Sequence, residues 1–147
     1  MKTILVRYCQ GRVIGRTVYG MVDRTYLLLM ALTVLAAKHV VFDFFLQSLR
    51  QIENKRIYGH PSGLWHAAGH AVGTCLAFVV VTPSVGVGIG IVVAEFGLHY
   101  HIDWLKEQIV HRWKLHPQQK AFWVAFGIDQ WLHQITYVGI AGVLAAA

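Results

Sequence analysis

The segment AFWVAFGIDQWLHQITYVGIAGVL, residues 121–144, is apolar and aromatic on either side of a short polar run at Asp129, Gln130, His133 and Gln134. About 20 residues of helix cross the roughly 30 Å of bilayer hydrocarbon, so the segment reads as a membrane span. Asp129 and His133 are four residues apart and therefore share one helix face. Ionisable groups are costly inside a membrane and ordinarily mark a functional position.

Three further apolar segments repeat the pattern. Residues 26–47 carry His39 and Asp43, residues 63–81 carry His66 and His70, and residues 85–104 carry His99 and Asp103. With 56% hydrophobic residues, 14% charged residues and a mean hydropathy of +0.49, the chain is far from an average soluble domain. At 147 residues it is one domain, most of it occupied by four spans. The fold expected is all-α: an integral-membrane four-helix bundle, up-down-up-down. Thr82, Pro83 and Ser84 make a tight turn, and the connections 48–62 and 105–120 are longer and polar.

Residues 1–25 form a basic arm with Lys2, Arg7, Arg12, Arg16 and Arg24, lacking a continuous apolar core or a small-residue cleavage site. That argues against a cleaved signal peptide. A surface arm attracted to anionic headgroups and a partly disordered tail remain equally open. The arm explains most of the net charge of +6, and with no interleaved aromatics or binding motif no nucleic-acid partner is expected. The side of the N-terminus carries five Lys or Arg and the side of the long connections seven, which favours cytoplasmic long loops. Cys9 and Cys75 have no CxxC spacing, and Cys75 lies in an apolar span, so no disulfide between them is expected.

Depth unites the four pairs. In an up-down bundle the pairs of the first and third spans fall near their C-terminal ends, and those of the second and fourth in their N-terminal halves. All four then lie towards the long loops, with His39 and Asp129 about 12 Å inside at 1.5 Å per residue. Imidazole and carboxylate suit zinc, iron or manganese, and helical bundles build such sites from i, i+3 or i+4 pairs. Candidate metal ligands are His39, Asp43, His66, His70, His99, Asp103, Asp129 and His133, too many for one tetrahedral ion. Either two divalent ions bind, zinc first among the candidates, or one binds and the surplus groups support it.

Glu95, one turn before His99, is the candidate general base or a deeper ligand. Lys106, with Lys38 and Arg50, lies near the expected mouth and is a candidate for holding a phosphate or headgroup, although Lys106 and Arg50 also fit as snorkelling interfacial cations. His60, His111 and His116 read as loop histidines, and His101 is off the ligand face. Gln47, Gln130 and Gln134 extend the polar faces. Gly69 and Gly73, together with Gly86, Gly88 and Gly90, offer small-residue spacing for close helix approach. Trp65, Trp104, Trp113 and Trp123 fall near span ends, as interfacial anchors do.

The ordered set HVVFDFFLQ (39–47), His66 and His70, HYHIDWLK (99–106) and DQWLH (129–133) resembles the motifs of an uncharacterised bacterial and phage family of small integral-membrane proteins. The similarity runs over about residues 35–144; it implies membrane topology and importance of the motifs, and no activity. A looser similarity to membrane-bound metal-dependent hydrolases favours hydrolysis by analogy. The function expected is a metal-dependent integral-membrane hydrolase of the bacterial inner membrane, acting through metal-activated water on a lipid-like or membrane-anchored substrate. An intramembrane ion or proton transporter, a non-catalytic membrane-interaction protein and a purely structural polar core are the alternatives. The apolar stretches 27–35, 77–81 and 138–144 disfavour a continuous transport path.

Overall fold

The computed structural model describes residues 23–147, all of whose regular elements are helices. The basic arm lies outside the described residues, Cys9 included, except for its last three residues, which begin the first helix. That helix, α1, covers Asp23–Phe45. It is followed by α2 (Leu49–Asn54), α3 (Pro61–Gly73), α4 (Cys75–Phe78), α5 (Val85–Arg112) and α6 (Lys120–Ala146). α1, α3 with α4, α5 and α6 form the bundle. Two of the described helices, α1 and α5, are long and apolar enough to cross a membrane. α6, at 27 residues, is long enough, but the polar run from Asp129 to Gln134 lowers its hydropathy.

Local chemistry sets the boundaries. The turn at residues 82–84 stands where Pro83 dictates it. α5 runs eight residues past the expected end at Trp104, because Leu105 to Arg112 contains helix-compatible residues and neither glycine nor proline. The connection 48–62 is likewise partly helical: Ser48 caps α2, accepting from the Gln51 backbone while the Gln51 side chain accepts from the Ser48 N–H, a capping box.

The second expected span is interrupted. α3 ends at Gly73, and α4 restarts for 4 residues. At the break the Lys38 ammonium donates to the His70 carbonyl at 2.8 Å, and the Thr74 hydroxyl donates to the same carbonyl at 3.3 Å. The Thr74 N–H donates to the same carbonyl at 3.1 Å and to the Ala71 carbonyl at 3.3 Å, so the His70 carbonyl is shared by three donors where the two helices meet.

The last turn of α1, Val41–Phe45, is a π-turn closed by Leu46 N–H to the Val41 carbonyl at 3.0 Å. Such wide turns recur at functional sites. Here it carries Asp43 and aims Phe42 at α3. The Phe42 ring occupies the shallow surface over Gly69 and Gly73, where an added Cβ would lie 3.0 Å from it in each case. Those two glycines therefore admit a side chain from α1. Gly88 sits against Phe78 and Pro83, while Gly86 and Gly90 face open space.

The interior is unusually polar. The buried residues comprise as many polar as apolar side chains: Lys38, His39, Lys55, His66, His70, Thr74, Glu95, His99, Asp103, Asp129 and His133 against eleven apolar ones. Large apolar side chains cover the outside, among them Val79 at 84% exposure, Val85 at 81% and Val93 at 64%. Extended exposed apolar surface marks a face made for lipid or for another protein. The interior has two halves. An apolar cluster of Ala31, Leu35, Ala77, Ile91, Tyr137, Ile140 and Leu144 fills the half near the α5 N-terminus, and the polar residues fill the other.

Candidate metal centre

All four i, i+4 pairs converge in the polar half. Two groups of donors have ligand atoms within 4.8 Å of one another: Asp43, His66, His70 and His99, and then His99, Asp103 and His133. His99 belongs to both. Asp43 Oδ1 is 3.1 Å from His66 Nε2 and 3.1 Å from His70 Nε2, and the His66 and His99 Nε2 atoms are 3.3 Å apart. A tetrahedral zinc with bonds of about 2.0–2.1 Å holds its ligand atoms about 3.3–3.4 Å apart. Three contacts of the first group are therefore close to the edge lengths of a zinc polyhedron, and all its donor atoms lie within 4.8 Å of one another. Ring stacking holds the imidazoles in register: the His70 and His99 centroids are 3.7 Å apart and those of His99 and His133 4.2 Å.

The second group leaves groups unsatisfied. His133 Nε2 is 3.5 Å from Asp103 Oδ1 and 3.6 Å from Asp129 Oδ1, both beyond hydrogen-bond length. His133 Nε2, Asp129 Oδ1 and His70 Nδ1 have no hydrogen-bond partner among the described residues. Buried polar atoms are costly without a partner, so the space between His133 Nε2 and the Asp103 and Asp129 carboxylates suits a cation or a polar ligand.

His39 and Asp129 stand beside these groups rather than within them. His39 Nδ1 is 2.9 Å from the Tyr137 hydroxyl, and its Nε2 is 3.1 Å from both Gln130 Oε1 and Asp43 Oδ2. If Tyr137 donates to Nδ1, then Nε2–H donates to the amide and the carboxylate, and His39 orients Asp43 instead of ligating. The Gln130 amide donates to Asp43 Oδ2 and Asp129 Oδ2, each at 3.2 Å. Gln47 also borders the cluster, next to His66, whereas Gln134 is exposed.

Glu95 lies with Lys38 and Thr74. One carboxylate oxygen pairs with the Lys38 ammonium and the other accepts from the Thr74 hydroxyl, all three groups buried. Lys38 is thus part of the floor and not the mouth. Lys106 pairs with Glu107, and Arg50 is exposed on α2. His101 meets Tyr58 at 3.1 Å, His60 caps α3 by accepting from Ser62 N–H, and His111 and His116 are exposed.

Lys55 was not foreseen. Its buried ammonium lies 2.8 Å from Asp103 Oδ2, inside the second donor group. No local motif announces it, since its partner is 48 positions away in the chain. Tyr137, the partner of His39, is visible only as an i+4 continuation of His133 on the same face.

A groove of about 550 Å³ runs between α5 and α6 on the outside of this half, with Leu105, Lys106, Trp113, Lys120, Val124 and Asp129 in its wall. A second groove, of about 750 Å³, continues it towards the apolar half and shares Ile102 and Leu132. Asp129 therefore links the outer groove to the donor cluster.

Residues 29–146 match the family described as protein of unknown function DUF3307, and the chain belongs to that family. This agrees with the uncharacterised family indicated by the motifs. No curated protein and no solved structure matches the chain.

Proposed function

We propose that the protein is a four-span bundle of the bacterial inner membrane whose His/Asp cluster holds one or two divalent ions, zinc first, and hydrolyses a lipid-like or membrane-anchored substrate. The observation that carries this reading is the convergence of six His/Asp donors from four helices into two groups joined at His99. The apolar exterior and the polar interior support placement in lipid, where buried ionisable groups face the bundle axis. When bound, a divalent ion lowers the pKa of water to about 7 and polarises a carbonyl or phosphoryl oxygen.

The chain's own groups divide the remaining work. Asp43, His66, His70 and His99 hold the ion, while His39 and Gln130 fix Asp43. His133 Nε2, unpartnered beside Asp129 Oδ1, would accept the proton that the activated water gives up and return it to the leaving oxygen or nitrogen of the cleaved bond, with Asp129 holding the imidazole. Glu95, engaged by Lys38 and Thr74, anchors the floor. The α5–α6 groove accepts an apolar chain and leads its polar end to Asp129. The apolar cluster around Leu35, Tyr137 and Leu144 closes the opposite half, which speaks against a continuous transport path.

The test is elemental analysis of the detergent-purified full chain after zinc loading, followed by mass-spectrometric screening for cleavage of phospholipid and acyl-ester substrates. Zinc and cleavage are both expected in the wild type, and both should be lost in His66→Ala/His70→Ala while the protein stays folded. A wild type that takes up no zinc, manganese or iron sinks the metal reading. Bound metal without cleavage of any lipid or membrane-anchored substrate sinks the hydrolase reading alone.

A further inference from the structure

The two donor groups are not independent, because they share His99. An imidazole Nε2 offers one lone pair and ligates one ion. If His99 completes the four-donor group, the second group keeps only Asp103 and His133, fewer than the three protein ligands of a typical catalytic zinc site. The Lys55 ammonium already neutralises one ligand of that group, lying 2.8 Å from Asp103 Oδ2, while His133 faces the other oxygen, Oδ1. In the amide orientation that satisfies both groups, the Gln47 side-chain oxygen also accepts from Lys55.

Charge points the same way. Lys38 matches Glu95 and Lys106 matches Glu107, which leaves Asp43, Asp103 and Asp129 as the acidic groups of the cluster. Lys55 offsets one of these three, and a single divalent ion offsets the other two. A second divalent ion would leave uncompensated positive charge in a buried site, which is costly.

The backbone delivers Lys55 to this place independently of the ion pair. Lys55 caps α2, and the turn after it is clamped to α5: the Gln108 amide donates to the Arg56 carbonyl at 2.6 Å, and Gly59 N–H donates to the Tyr100 hydroxyl at 2.5 Å. Gly59 has φ +76°, a left-handed turn that suits glycine.

We infer that the centre is mononuclear, with its ion at Asp43, His66, His70 and His99 and with Lys55 as a built-in cation in the place of a second ion. This rests on the metal reading above. The experiment counts zinc per chain, by elemental mass spectrometry, after equilibrium dialysis of the detergent-purified full chain against zinc. Wild type should hold about one zinc, and Lys55→Met, which frees Asp103 to ligate beside His133 with the unpartnered Asp129 Oδ1 as third donor, should gain a second, weaker equivalent. Lys55→Arg, which keeps the cation, should hold about one. Asp103→Asn should leave the count unchanged, because Asp103 serves Lys55 and not the ion.

Two zincs in wild type, or no gain in a folded Lys55→Met, overturns the inference while the metal reading stands. No zinc in wild type overturns both. Should Lys55→Met fail to fold, Asp103→Asn decides: loss of an equivalent there contradicts the assignment.

Discussion

The contact between Phe42 and the two glycines of α3 fixes how α1 delivers Asp43, and it can be perturbed by single methyl groups. A methyl at Gly69 would lie 3.0 Å from Phe42 Cε1 and 3.2 Å from Cδ1, and one at Gly73 would lie 3.0 Å from Cε2. These contacts are tighter than ordinary carbon packing, so the ring must give way by a few tenths of an ångström at each methyl. In Gly69→Ala/Gly73→Ala both edges of the ring are blocked, and tilting away from one methyl drives it into the other. The strain then passes to α1 and to the neighbouring Asp43, whose contacts to His66 and His70 are 3.1 Å.

Overpacking of this kind costs about 1–3 kcal/mol. Replacing glycine by alanine in a helix returns up to about 1 kcal/mol per site. Gly86→Ala/Gly90→Ala, where nothing lies within 4 Å of the added methyls, supplies the control that carries the propensity gain alone. Relative to that control, the Gly69/Gly73 variant should melt at a lower temperature in detergent. It should also bind zinc about 5- to 150-fold more weakly if the whole 1–3 kcal/mol falls on the metal-loaded state. Phe42→Leu in the same background should restore much of the loss. Equal melting temperatures and zinc affinities in the two double variants would refute the reasoning.

Other expectations follow from the same contacts. Lys38→Met leaves Glu95 buried without its counter-charge and should cost about 3–5 kcal/mol in thermal stability, most of it recovered in Lys38→Met/Glu95→Gln. No recovery in the double variant would show that the pair is not the source of the loss. His39→Ala should lower zinc affinity about 10- to 100-fold without abolishing binding, as expected of a residue that orients a ligand; complete loss in a competition titration would make His39 a ligand. Chelator treatment should lower the melting temperature of wild type and zinc should restore it, while the melting temperature of His66→Ala/His70→Ala should respond to neither.

The donor set was legible in the sequence because its geometry is local. Each pair is an i, i+4 repeat on one helix, and the depth of each pair follows from residue counting. What was not legible depends on long-range or subtle backbone features. Lys55 reaches Asp103 from another segment, and Lys38, expected near the mouth, turns inward to Glu95. The π-turn at Val41–Phe45 leaves no signature in an apolar run. The capping box at Ser48 and Gln51 could have been read, since its spacing is a known helix-start signal. The glycine spacing at Gly69 and Gly73 signalled close approach correctly, but the approaching group is a phenyl ring rather than a helix backbone.

X-ray absorption at the zinc edge, on the zinc-loaded full chain in detergent, tests the metal centre most directly. The expected spectrum has a nearest shell of nitrogen and oxygen at about 2.0–2.1 Å, with outer-shell scattering from about three imidazoles. That shell should disappear in His66→Ala/His70→Ala. A spectrum of hydrated zinc without imidazole scattering, or a wild-type protein that retains no zinc, would contradict a metal site built from these histidines.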